Sequence, residues 1–196
     1  RRHPRADLGI HLTLTSEWKT YRWGPVSTRD PASGLLDEQG YFYHLSEQAQ
    51  EHGDPAAVEL ELTAQVERAL KAGILPTHID THMGSVAHPK FMGMYVQLAM
   101  QFHLPPMIFR LDESGWRLAG LEPEFAKMAA ALVQQLEETG LPLLDTLGGM
   151  HLDTVVNRLE RTKQAFSDLQ PGVTHFIIHP SRDTPELRAI TPDWRC

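Results

Sequence analysis

Pro76-Thr77-His78-Ile79-Asp80-Thr81-His82 is the stretch on which the reading of this chain turns. As an extended strand its side chains alternate, so His78, Asp80 and His82 share one face and Ile79 turns to the other. Two imidazoles and a carboxylate on one face suit a divalent metal ion. The same residues also serve as a polar strand end or as a hydrogen-bonded His/Asp cluster. The flanks decide the architecture. Upstream, Asp54-Pro55 reads as an N-cap with proline at the first helical position, Val58, Leu62, Val66 and Ala69/Leu70 form an apolar stripe, and Gly73 ends the helix. Downstream, Phe91, Met94/Tyr95, Leu98 and Phe102 mark a second helix stopped by Pro105-Pro106.

Working outward, Leu8-Gly9-Ile10-His11-Leu12-Thr13-Leu14-Thr15 alternates as a first strand, with Leu8, Ile10, Leu12 and Leu14 on one face and His11, Thr13 and Thr15 on the other. Residues 16 to 53 form a long connection rich in Trp, Tyr, Gly and Pro, and connections of that length in compact domains are usually functional. Met107 to Leu111 reads as a short strand. Pro123 opens a third helix through Phe125, Met128, Leu132 and Leu136, closed by Gly140. Leu141 to Thr146 is a further strand, a fourth helix carries Val155, Leu159 and Phe166, and Val173 to His179 is the last strand. Regular alternation of strands and helices predicts an α/β fold with parallel pairing.

Polar groups recur towards the C-terminal ends of these strands: His82, Arg110, Asp145 and His179. Both α/β barrels and open doubly wound sheets bind ligands at that end. Two features favour the barrel. The first strand is polar along one whole face, as a strand facing a barrel interior can be, and Gly148-Gly149 lacks the pattern of a glycine-rich phosphate loop. Five strands do not close such a barrel, so missing pieces are expected on both sides. The absent initiator Met and the ending at Trp194-Arg195-Cys196 suggest the same.

Composition narrows the function classes. The chain has 196 residues, 41% hydrophobic and 22% charged, which fits one soluble domain. A net charge of -7 with no basic run argues against a nucleic-acid or anionic-membrane partner. No apolar run approaches the roughly 18 residues of a membrane span. Eleven histidines point towards chemistry. The single cysteine, Cys196, excludes an intrachain disulfide and is compatible with a reducing, cytoplasmic setting.

Among individual candidates, His11 is either a satisfied mid-strand residue or a partner of His82 on one ion. Two histidines plus a carboxylate, with open positions for water, make a common hydrolytic metal site. His179, held at a strand end by Pro180, is either a general acid/base or a turn histidine. Arg110 either binds substrate or pairs with an acid such as Asp112. Asp80 and His78 either ligate or orient an imidazole from behind. Nucleophilic catalysis finds little support, since no G-x-S-x-G elbow occurs.

Three blocks, in order, resemble the YdjC/ChbG-like carbohydrate deacetylase family: Leu8 to Thr15 its G-x-H-x-x-L-T strand, Pro76 to His82 its P-T-H-x-D-x-H block, and Phe176-Ile177-Ile178-His179-Pro180 its hydrophobic-His-Pro block. The resemblance implies a distorted (β/α) TIM-like barrel of the glycoside hydrolase/deacetylase type, incomplete in this chain, as a single domain over residues 1–196. It implies a divalent metal held by an Asp-His-His set, with His11 and His82 as the metal ligands, His179 as the acid/base group and Arg110 as a substrate contact; beside that, His78 and Asp80 are expected to orient the imidazoles from behind. Magnesium is expected ahead of zinc. The implied reaction removes an N-acetyl group from a small amino sugar or oligosaccharide, in the cytoplasm, with no nucleic-acid or membrane partner; a homodimer is compatible. Trp18, Tyr21, Trp23 and Tyr41 to Tyr43 either stack on sugar rings or pack the loop. Two departures stand out. The family's N-terminal Asp-Asp-Phe-Gly motif, which supplies the metal carboxylate and a base, does not occur in this sequence. The middle block continues as Met83-Gly84-Ser85 rather than with further alternating histidines. The alternatives are another metal hydrolase on the same barrel, acting on a phosphoester, ester or different amide, and a non-catalytic sugar-binding barrel.

Overall fold

The computed structural model describes residues 6–150 and 156–191. Val155 and Trp194-Arg195-Cys196, named above, lie outside the described residues. The chain divides into two compact units, Arg1–Met107 and Ile108–Cys196.

In the first unit, β1 (Gly9–Leu12) leads through a long connection to α1 (Ser46–His52), α2 (Pro55–Lys71), β2 (His78–Thr81) and α3 (Pro89–Phe102). β1 and β2 pair in parallel, with Gly9 opposite His78 and His11 opposite Asp80. The α2 helix starts where the sequence says it should. The Asp54 side chain accepts from the Ala57 amide, Pro55 occupies the first turn, and Gly73 at φ 77° follows the last turn. Its stripe of Val58, Leu62 and Val66 is buried with Leu12, Leu14 and Ile79 of the strand segments and with Phe91, Tyr95 and Leu98 of α3. Each such apolar side chain stabilises the fold by about 1.5–3 kcal/mol. Past Leu12 the β1 backbone is completed by a side chain. Gln65 Oε1 accepts from the Thr13 amide at 3.0 Å, and its Nε2 donates to the Thr13 carbonyl at 2.8 Å.

The long connection is built around Arg22. Its guanidinium donates to Asp37 Oδ2 at 2.7 Å and to the Phe42 carbonyl, and lies 2.9 Å from His44 Nε2. The Ser16 hydroxyl accepts from the Trp23 amide, and the Ser16 amide donates to the Tyr43 carbonyl. Asp37 also accepts from the Gln39 and Tyr41 amides. Burial pushes its carboxyl pKa upward, but the Tyr41 amide, Arg22 and the Gln39 amide together hold it below the ordinary value.

The second unit contains α4 (Glu113–Leu118), α5 (Pro123–Glu138), β3 (Thr146–Gly149), α6 (Arg158–Ser167), β4 (Thr174–Ile177) and α7 (Pro185–Ile190). β3 and β4 pair in parallel, Thr146 opposite Thr174. Ala126, Val133, Leu136, Ile108 and Leu143 are buried, whereas Phe125 and Met128 of the expected α5 stripe are exposed. The buried face of that helix is thus offset from the one read in the sequence. Leu159 and Phe166 of α6 are exposed too, with Phe166 stacked on Phe176 at 4.7 Å between ring centroids.

Parallel α/β pairing is therefore present, as two small sheets. The stretch expected as a strand at 107–111 contributes a single bridge, Phe109 with Leu144, beside the bridge of Ile79 with Pro106, and the strand expected at 141–146 is displaced to β3, which starts at Thr146. Pro105 and Pro106 have no amide hydrogen to continue a ladder. Among the described residues these strands do not close a barrel. No helix among them is long and apolar enough to cross a membrane.

Candidate functional site

The β1–β2 register sets His11 beside Asp80, and His11 Nδ1 lies 2.8 Å from Asp80 Oδ1. Directly after β2 the chain tightens into a turn at His82–Gly84, with Met83 at φ 52°. Two buried hydroxyls pin that turn: Thr81 Oγ1 accepts from the Val86 amide, and Ser85 Oγ accepts from the Leu14 amide. Met83 is a non-glycine residue in the left-handed region, a costly conformation that the surrounding bonds must hold. The Ser46 hydroxyl, donating to the Met83 carbonyl at 2.8 Å, supplies one of them.

This turn brings His82 against His11. His82 Nδ1 lies 3.2 Å from His11 Nε2, and the rings meet edge to face at 5.2 Å. On its far side, His82 Nε2 lies 3.0 Å from Glu17 Oε2. The result is a linear chain, Asp80–His11–His82–Glu17. Asp80, His82 and Glu17 are mostly covered, with side chains 14%, 20% and 25% exposed, while His11 opens to solvent at 54%. His11 is therefore not a core histidine.

The tautomers follow from the partners. Where the carboxylates are ionised they only accept, which puts the protons on His11 Nδ1 and His82 Nε2. Both inner nitrogens, His11 Nε2 and His82 Nδ1, then present lone pairs to each other. Two acceptors at 3.2 Å repel unless a proton or a cation lies between them. Two nitrogen donors on one ion, at about 2.1 Å each, stand about 3.0–3.4 Å apart for octahedral to tetrahedral angles. The donor pair fits a divalent ion. Among the described residues no third His, Cys, Asp or Glu joins it to complete a ligand set.

The other residues singled out from sequence fall elsewhere. His78 bonds Thr77 Oγ1 at 3.0 Å and lies 3.7 Å from Asp7, and it covers Gly9, where an added Cβ would collide with the His78 ring. Its contacts lie at the start of β2, whereas Asp80 works towards the end. Arg110, in the second unit, lies 3.1 Å from both Glu137 and Asp145. Asp112 instead caps α4, accepting from the Gly115 amide and the Ser114 hydroxyl, which holds its carboxyl below the ordinary value. His179 is exposed just beyond the end of β4.

Sequence reasoning missed Glu17. The usable signal was a carboxylate just past the C-terminal end of a strand that carries a histidine. The aromatic residues separate into two groups. Trp18, Tyr21 and Trp23 form a three-ring cluster with centroids 6.1–6.3 Å apart, and Trp23 lies 6.3 Å from the His82 ring. Phe42 is buried, Tyr41 lies under Arg22 and Tyr43 packs on His52, so these three hold the loop together. A cleft of about 790 Å³ opens beside His11, lined by Arg22, Trp23, Tyr41, Gln65 and Arg68 among others.

A parallel α/β scaffold with paired, carboxylate-backed histidines towards the ends of its strands is the arrangement of many hydrolase sites. The chain belongs to the YdjC-like protein family, which it matches over residues 1–196. It is 33% identical to a carbohydrate deacetylase of Thermus thermophilus, over 96% of this chain and 66% of that protein. It is 23% identical to a carbohydrate deacetylase of Thermoanaerobacter pseudethanolicus, over 96% and 65%. A crystal structure from Enterococcus faecalis, provisionally described as a cellobiose-phosphate cleavage protein, superposes with a TM-score of 0.65 at 24% identity, covering 96% of this chain and 65% of that one. That last likeness concerns the fold. The chain spans about two thirds of the length of these curated relatives.

Proposed function

We propose that this chain carries the histidine half of the site of a divalent-metal-dependent carbohydrate deacetylase, on a (β/α) barrel in which β1 and β2 are neighbouring staves. The observation that carries this reading is the pair of inward imidazole nitrogens 3.2 Å apart, each backed by a carboxylate. The names of the relatives at 33% and 23% identity support the reaction class.

His11 and His82 would hold the ion, and Asp80 fixes the His11 ring for that task. A bound divalent ion would polarise the acetyl carbonyl and lower the pKa of water beside it. In the reaction water adds to the carbonyl carbon, the C–N bond breaks, and acetate and a free amine are released. The Trp18–Tyr21–Trp23 cluster offers faces on which a pyranose ring can stack, and a cleft of about 790 Å³ is ample for a small sugar. In the second unit the exposed His179 is the candidate acid/base group. Arg110 is the candidate substrate contact, and taking that role means giving up a bond to Glu137 or Asp145. Magnesium remains the first ion to test, and the imidazole donors make zinc the next.

The test is elemental analysis of the full-length protein beside a His11→Ala/His82→Ala variant, followed by acetate release from a panel of N-acetylated amino sugars. About one divalent ion per chain, lost in the variant together with acetate release, is expected. A metal-loaded protein that releases no acetate from any panel member refutes the deacetylase reading, and a protein that takes up no ion refutes the site.

A further inference from the structure

We propose that Glu17 is a positioning residue for the ion site, holding the His82 imidazole in the Nε2–H tautomer with Nδ1 turned inward. This assignment rests on the ion reading of the His11–His82 pair given above. Glu17 Oε2 is 3.0 Å from His82 Nε2, and both side chains are largely covered, at 25% and 20% exposure. The arrangement mirrors Asp80 behind His11 at 2.8 Å. Metal-binding histidines commonly give their second ring proton to a carboxylate, which fixes the ring and raises its basicity. The two histidines use opposite atoms inward, Nε2 of His11 and Nδ1 of His82. With Nδ1 as the donor, His82 must keep its proton on Nε2, and Glu17 is the group that meets that nitrogen.

The position of Glu17 is imposed by the fold around it. Ser16, its neighbour, is fully buried, with its amide bonded to the Tyr43 carbonyl and its hydroxyl to the Trp23 amide. The Glu17 carbonyl lies 3.3 Å from His44 Nδ1, and His44 is in turn 2.9 Å from the Arg22 guanidinium. The long connection that Arg22 organises thus delivers a carboxylate to the back of His82. Trp23, 6.3 Å from the His82 ring, walls one side of the pair.

The test combines the His82 tautomer with ion affinity, both measured in the full-length protein. Long-range ¹H–¹⁵N correlation on metal-free protein should show His82 protonated at Nε2. Competition against a chromophoric chelator with Zn²⁺ and Mn²⁺ should give a Kd raised about 10–100-fold in Glu17→Ala. Glu17→Gln, whose amide oxygen still accepts from Nε2–H, should recover most of that loss, a rescue that simple loss of packing would not show. An Nδ1–H tautomer in the wild type overturns the assignment, and so does an unchanged Kd in Glu17→Ala. If Glu17→Ala fails to fold, the wild-type tautomer decides the matter alone: Nε2–H on His82 supports the assignment and Nδ1–H overturns it. Wild-type protein that takes up neither ion sinks the ion reading and this assignment together. Wild-type uptake with unaltered affinity in Glu17→Ala sinks this assignment only.

Discussion

Tyr95→Phe removes one oxygen from the interior beneath the candidate site. Tyr95 is 1% exposed, its hydroxyl donates to the Ile79 carbonyl at 2.9 Å, and it accepts from the Met107 amide at 3.0 Å. Loss of the hydroxyl strands neither partner, because the Met107 amide also donates directly to the Ile79 carbonyl at 2.9 Å. The cost at neutral pH should therefore be the net worth of a neutral hydrogen bond, about 1 kcal/mol, and not the larger penalty of an orphaned buried group. Alkaline pH reverses the comparison. Burial pushes the Tyr95 phenol well above its ordinary value of 10.0; the Met107 amide opposes that shift and the nearby Asp80 charge adds to it. Above about pH 10 the unfolded chain gives up this proton while the folded chain keeps it, so stability falls as pH rises, by up to about 1.4 kcal/mol per pH unit. Phenylalanine has no such proton. The deficit of the variant should shrink past pH 10 and vanish near pH 11. Urea unfolding of both proteins, followed by circular dichroism at pH 7.5, 10 and 11, reads this directly. A deficit above about 3 kcal/mol at pH 7.5 would show that Tyr95 is worth more than its hydrogen bonds. A constant deficit across the series would refute the buried, proton-retaining phenol.

Other substitutions probe the loop and the site. Gly34→Ala should cost more than about 2 kcal/mol and lower the melting temperature by at least about 4 °C, because Gly34 has φ +65° and an added Cβ would meet the His52 carbonyl oxygen at 2.0 Å. Arg22→Met should cost about 3–5 kcal/mol at pH 7, since Arg22 is only 8% exposed and its loss leaves Asp37 without its cation. The folded Asp37 carboxyl is held low, so its contribution is present above about pH 4 and lost as pH falls further. The Arg22→Met deficit in urea unfolding should accordingly narrow towards pH 3. Trp23→Ala should weaken sugar binding about tenfold in a fluorescence titration, and unchanged affinity would count against the stacking surface. His78→Ala should change ion affinity less than about twofold, because its partners are Thr77 and Asp7.

What was legible in the sequence was whatever a local period encodes. Alternation in Leu8–Thr15 and Thr77–His82 set the faces of both strands, and parallel pairing then placed His11 against Asp80. Asp54-Pro55 and Gly73 marked the α2 ends because capping is a matter of a few adjacent residues. Arg110 shows the limit. Asp112 was the nearby acid, but it is used as a helix cap, and the partners of Arg110 are Glu137 on α5 and Asp145 before β3. Glu17 was missed for the same reason, since it follows a strand by several residues and meets His82 only through the folding of a non-periodic loop. Phe125 and Met128 misled the reading of α5, because hydrophobicity alone does not say which of two adjacent stripes a helix buries. Short α4 and α7 carry good caps at Asp112 and Thr184 but too few turns to show a stripe.

The way β1 ends bears on how His11 keeps its aim. A strand end in a small sheet has unpaired backbone groups that would ordinarily draw in another strand or water. Here Gln65 satisfies both polar groups of Thr13, and its Nε2 also donates to Glu61 Oε1 at 2.8 Å. Glu61 is fully buried and takes the Val26 and Ser27 amides, at 3.0 and 2.8 Å. One carboxylate thus has three donors, which is what allows it to stay inside the protein without a cation. Through this pair, α2 fixes the end of β1 and the loop after Trp23 with the same two side chains. His11, two residues before Thr13, and Trp23, three before Val26, are therefore set relative to each other by a buried Glu–Gln pair. A histidine on a strand of four residues would otherwise have little to stop it from fraying. With Glu61 and Gln65 beneath it, the exposed His11 ring is carried on a strand whose end is held at Thr13 through both its amide and its carbonyl.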